Sequence, residues 1–198
     1  MSASSLATGR AGTVLADLLP ASSASRARLR DAALVAGGAA LTGLAAQLSV
    51  PVPGSPVPVT GQTFAALLVG TALGARRGVA SLGLYALAGV AGLPWFAGGA
   101  SGWSMPSFGY ILGMLLASGV VGFLARRGGD RTVLRTAGVM VVGSALIYAV
   151  GVPYLAVSAH LTAHQAVVMG LRPYLVGDAL KAALAMGALP AAWRLVRR

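Results

Sequence analysis

The sequence predicts an all-α, polytopic membrane protein of six transmembrane helices with both termini in the cytoplasm. Three observations carry that expectation. The first is composition: 57% of the 198 residues are hydrophobic, only 10% are charged, and the mean hydropathy is +0.80. A soluble domain is about 25% charged, so a chain this apolar belongs in a bilayer. The second is segmentation into apolar runs divided by stretches rich in proline, glycine or arginine. The third is where the basic residues fall. When the gaps between runs are numbered alternately from the N-terminus, Arg10, Arg26, Arg28, Arg30, Arg76, Arg77, Arg126, Arg127, Arg131, Arg135, Arg194, Arg197 and Arg198 share one side. Of the 15 basic residues only Arg172 and Lys181 do not. The positive-inside rule makes that side cytoplasmic and the number of spans even.

The elements follow in order. Residues 1–30 are rich in Ser and Ala and read as a cytoplasmic extension preceding a six-helix domain, 31–198. They lack the long apolar core of a signal peptide, and the run 13–19 is long enough for only one or two interfacial turns before Pro20. The first span, 31–50, repeats Ala32, Ala36 and Ala40 every fourth position, with Ala39 and Gly43 on the adjacent row. Such small residues form a flat ridge on which another helix packs closely. Next, the prolines of PVPGSPVP, 51–58, remove backbone donors and fix φ, so this stretch must be an ordered loop or hairpin at a membrane surface. Spans two and three, 62–75 and 78–93, are short and separated by Arg76 and Arg77.

The segment PWFAGGASGWSMPSFGY, 94–110, interleaves aromatic rings with glycines. An interfacial aromatic belt accounts for Trp95 and Trp103. It does not require the Gly98–Gly99 pair, which points to close approach of the backbone to a ligand or a helix. The fourth span covers 107–125 and the fifth 136–157, followed by a moderately polar connection, 158–172. His160 and His164 in that connection have no carboxylate or third histidine beside them, and no metal site is expected there.

The sixth span, 173–196, carries Asp178 and, three residues on, Lys181, the sole lysine. An ionised side chain at the centre of a bilayer costs roughly 2.5–3.5 kcal/mol on insertion scales, so an apolar helix that keeps two marks a functional site or a structural ion pair. At 1.5 Å of rise per residue, both lie in the outer half of the membrane, below the three loops predicted to face outward. Lysine offers three N–H donors and aspartate two acceptor oxygens. A urea or amide group presents the complementary set, and an apolar, aromatic lining suits a hydrophobic ring.

Several classes are excluded. With no cysteine there is no disulfide, thiol catalysis or Cys-based metal site. The lysine sits in LVGDALKAAL, not in a G-x-x-x-x-G-K-[ST] loop, so the chain does not hydrolyse nucleotide itself. The formal charge of +11 is spread in short clusters that topology explains better than nucleic-acid binding does.

Three motifs, AALTGLAAQLSVPVPGSPVPVTGQTFAALLVGTALGARRG (39–78), GLYALAGVAGLPWFAGG (83–99) and GDALKAALA (177–185), together make the chain resemble the biotin-transporter family, the substrate-binding component of energy-coupling-factor importers. The resemblance covers 31–192. It implies a six-helix fold in the bacterial plasma membrane that binds biotin from outside without a cofactor. It also implies a transmembrane coupling subunit and two ATPase subunits as partners, with Ala32, Ala36 and Ala40 as the candidate contact ridge, and leaves self-association open. Asp178 and Lys181 match the family's polar pair and are carried over as biotin-binding residues. Gln62, Tyr85, Phe96, Gly98, Gly99 and Tyr110 join them as candidates from the motif neighbourhood. Assigning the ureido ring to the pair rests on donor and acceptor counts. Two other readings stay open from the residues alone. An intramembrane enzyme using Asp178 as base or Lys181 as nucleophile would want a second catalytic group at membrane depth, and none is seen. A passive assembly subunit would use the pair only as a helix lock.

Overall fold

The structure is a computed structural model, and it describes residues 12–196. Among them helix dominates, and the only strands are a two-residue antiparallel pair. The helices are α1 (Ala24–Gln47), α2 (Gln62–Leu73), α3 (Ala75–Val90), α4 (Phe108–Arg126), α5 (Val133–Ser158), α6 (Ala163–Gly170) and α7 (Leu175–Val196). Four stretches are long and apolar enough to cross a membrane: Ala24–Gln47, Phe108–Arg126, Val133–Ser158 and Ala163–Val196, with Gln62–Leu73 a shorter apolar helix.

α1 begins seven residues before the expected start of the first span at 31. The Ser23 side chain accepts from Arg26 N at 3.2 Å, an N-cap that satisfies one of the helix's orphan donors. Of the loop or hairpin expected, the proline stretch forms the hairpin, with β1 (Ser49–Val50) paired to β2 (Val59–Thr60). Arg76 and Arg77 lie not at the end of α2 but in the first turn of α3. Only Gly74 separates the two helices, at φ +82°, and it holds that turn in a conformation L side chains rarely adopt.

α4 is the centre of the bundle, packed on α2, α3 and α5. Its glycines set the spacing: a Cβ at Gly113 would stand 2.7 Å from the Ile147 carbonyl oxygen of α5. Helices brought this close gain dispersion contact along their whole length. The core that results runs through Leu82, Tyr85, Phe96, Ile111, Met114, Val121, Ile147 and Leu155.

The expected connection at 158–172 contains a helix, α6. Thr162 and Gln165 form a reciprocal capping box at its start, the Thr162 hydroxyl accepting from Gln165 N and the Gln165 side chain accepting from Thr162 N. His160 sits in the turn before α6 and His164 inside it, so the two do not share a helix. α7 packs mainly on α5 and only lightly on α2. Its other flank borders an open apolar groove lined by Ala33, Gly37, Leu41, Leu68, Ala72, Ala188 and Ala192 among others.

Candidate ligand-binding site

Five elements converge on one cavity: the hairpin, the start of α2, the start of α4, the middle of α5 and the first half of α7 with the turn before it. Val57, Pro58 and Thr60 of the hairpin cover it; Gln62 and Thr63 enter from α2; Ser107 and Tyr110 from α4 and the residue before it; Ser144, Ile147 and Tyr148 from α5. Tyr174, Asp178 and Lys181 complete the lining.

The charged pair is built as its spacing suggests. Lys181 Nζ donates to Asp178 Oδ1 at 3.2 Å and to Thr63 Oγ1 at 2.7 Å. The Tyr148 hydroxyl donates to the other carboxylate oxygen, Asp178 Oδ2. The two side chains keep 15% (Asp178) and 19% (Lys181) exposure, so the pair is half-withdrawn from solvent yet open to the cavity. Lys181 retains a third N–H, and each carboxylate oxygen retains a lone pair. Gln62 adds to this set. Its Oε1 accepts from the buried Tyr85 hydroxyl at 2.8 Å, which leaves its NH₂ group as donor toward the cavity.

The walls are fixed by hydrogen bonds to backbone. Tyr110 packs its ring on Gly151 and donates to Gly170 O at 2.7 Å. Tyr174 donates to Val57 O at 2.5 Å and lies 2.9 Å from Ser55 Oγ, so the hairpin is tied down to the start of α7. Tyr110 and Tyr148 meet edge to face, 6.3 Å between centroids, a geometry aromatic pairs favour.

Of the candidates named from sequence, Asp178, Lys181, Gln62 and Tyr110 line this cavity. Tyr85 stands behind Gln62 as its buried partner. Phe96, Gly98 and Gly99 are outside the lining. The Phe96 ring fills the space over Gly89 and packs on Tyr85, while Gly98 and Gly99 turn the exposed aromatic loop with φ of +68° and +73°. Thr63, Tyr148 and Tyr174 were missed. Thr63 follows Gln62 directly and Tyr174 opens the Asp–Lys helix, so adjacency to named residues was a usable signal for both. For Tyr148 only the tertiary packing of α5 on α7 reveals the role. The alanines of the ridge, Ala32, Ala36 and Ala40, are all exposed, whereas Ala39 and Gly43 face inward, Gly43 against the Trp95 ring.

Helices long and apolar enough to cross a membrane, bundled around a cavity that borders a half-buried ion pair, define a multi-pass membrane protein. Residues 20–198 match the model of the BioY family. The chain is 34% identical over 162 residues to the probable biotin transporter BioY of Pyrococcus horikoshii, which covers 80% of this chain and 93% of that protein. It is also 34% identical to the biotin transporter BioY of Thermotoga maritima, across 74% of this chain and 85% of that protein. A crystal structure at 2.1 Å of the S-component for biotin from an ECF-type ABC transporter superposes with a TM-score of 0.77 at 22% identity, over 90% of this chain and 96% of that one. The chain belongs to the BioY family.

Proposed function

We propose that this protein captures biotin from the outer side of a bacterial plasma membrane as the S component of an ECF-type importer. The observation that carries the reading is the Asp178–Lys181 pair, half-buried on the wall of a cavity with donors and acceptors still unused. A cyclic urea supplies the complement: its carbonyl takes the free N–H of Lys181 and the Gln62 amide, and its ring N–H groups face Asp178. Tyr148 and Thr63 hold the pair in place, and Tyr110 and Tyr174 wall the ring. The relatives named as biotin transporters support the ligand and support transport rather than catalysis.

The same reading assigns six spans, with the arginine-rich end in the cytoplasm, both termini included. The substrate-binding domain is 31–198 and residues 1–30 extend it. A transmembrane coupling subunit and two ATPases supply the energy, in keeping with the absence of a nucleotide-binding lysine loop. The exposed ridge Ala32, Ala36, Ala40 is the contact for the coupling subunit, or for a second copy where the chain self-associates.

The test is titration of the purified chain with biotin, beside Asp178→Asn and Lys181→Met. Binding in the nanomolar range, about −12 kcal/mol, that collapses in both variants while each remains folded and inserted supports the reading. A folded parent chain that does not bind biotin refutes it.

A further inference from the structure

The family match begins at residue 20, yet residues 12–19, just outside it, are bonded across the arginine-rich end of the bundle. Val14 and Ala16 are buried, at 0% and 4% exposure, against Ala125 of α4, with Leu34 of α1 and Leu73 of α2 beside them. Asp17 accepts from Arg77 of α3 at 2.7 Å and lies 3.4 Å from Arg126 at the end of α4. Arg126 donates to Gly12 O, and Gly12 N donates back to Arg126 O, both at 2.7 Å. The chain has four acidic residues, and Asp17, Asp31 and Asp130 are all spent at this one end, each beside an arginine.

The bonding continues from this segment to α7. Arg131 donates to Thr13 O at 3.0 Å, and its guanidinium stacks 3.6 Å above the Trp193 ring. Trp193, near the end of α7, donates to the buried Asp130 at 2.6 Å. α7 is lightly packed along its groove flank and carries Pro190 one turn before Trp193, where proline removes a helix hydrogen bond. Besides its packing on α5, its base is tied by the Asp130–Arg131–Trp193 cluster to the turn between α4 and α5.

We propose that residues 12–19 form a cytoplasmic strap whose ionic closure fixes the base of α7 and thereby links the cytoplasmic face to the ligand pair higher on the same helix. The link to ligand rests on the biotin reading above. If closing the strap favours the binding geometry of α7, ligand must favour the closed strap by the same factor.

The chain has no cysteine, so Val14→Cys is a unique reporter, with Ala16→Cys as a second should the first disturb folding. Maleimide labelling is slow in the parent background and roughly tenfold faster when Asp17→Asn opens the strap; Asp17→Glu, which keeps the charge, restores slow labelling in part. Asp17→Asn also weakens biotin binding by about fivefold, and saturating biotin slows labelling by a matching factor. Fast labelling in the parent, or an opened strap with biotin affinity unchanged, overturns the proposal. If the parent itself binds no biotin, the functional reading fails separately, and the strap is judged by acrylamide quenching of Trp193 in a Trp95→Phe, Trp103→Phe background, where it is the single tryptophan. Asp17→Asn must then increase quenching, and unchanged quenching overturns it.

Discussion

Asp178 and Lys181 are held by neighbours that carry no charge, and this determines how each substitution reads. Removing the Tyr148 hydroxyl deletes a hydrogen bond to a carboxylate, an interaction worth about 1.5–3 kcal/mol. Tyr148→Phe should therefore weaken biotin binding by roughly tenfold or more, measured by calorimetry. Thr63→Val acts on Lys181 in the same way and should leave the fold intact, because the two side chains have nearly the same shape. At the other end, burial is the largest influence on Asp130 and pushes its carboxyl above the ordinary range, opposed by the Trp193 N–H and Arg131. A carboxyl whose folded pKa is raised gives the fold its full support below the unfolded value, and that support fades as pH rises through the folded value. Asp130→Asn should flatten this decline. Thermal melts of the two proteins across the mildly acidic range, upward from the usual carboxylate pKa, will show parallel curves if the argument is wrong.

Between elements, close approach is set by glycines whose roles differ sharply. Gly113→Ala places a methyl group 2.7 Å from the Ile147 carbonyl, and overpacking of this kind costs typically 1–3 kcal/mol. Gly138, also in α5, has nothing within 4 Å of its missing Cβ, so Gly138→Ala should be neutral or slightly stabilising through helix propensity. Melting temperatures in one detergent compare the two directly. The same contrast explains what could be read in advance. Apolar runs located α2, α3, α4, α5 and α7 within about three residues, α1 starting seven residues early, and PVPGSPVP announced a loop or hairpin because four prolines leave few alternatives. α6 was passed over as a polar connection although Thr162-x-x-Gln165 is a capping box in plain sequence. The site was half legible. Asp178 and Lys181 stand out because charge is scarce in apolar helices. Tyr148 does not, because nothing local distinguishes it from a tyrosine of the core. Phe96 and its glycines were drawn toward the cavity by their motif, whereas the ring is needed to fill the space above Gly89.

For the molecule as a whole, the proposed function puts capture and coupling on separate surfaces. Ala36 lies on the exposed ridge of α1, on no wall of the cavity. Ala36→Trp should leave biotin affinity in detergent unchanged while abolishing uptake in cells that supply the coupling subunit and ATPases; loss of binding instead would place the ridge inside the capture machinery. The groove between α1 and α7 has a further consequence. In a bilayer an open apolar groove is a seat for hydrocarbon tails, which would make lipid the neighbour of Ala188, Leu189 and Ala192, about two to three turns along α7 from Lys181. Where binding moves α7, lateral pressure and chain order in the membrane should then alter biotin affinity, and titrations in bilayers of differing acyl-chain length would show no difference if α7 stays fixed.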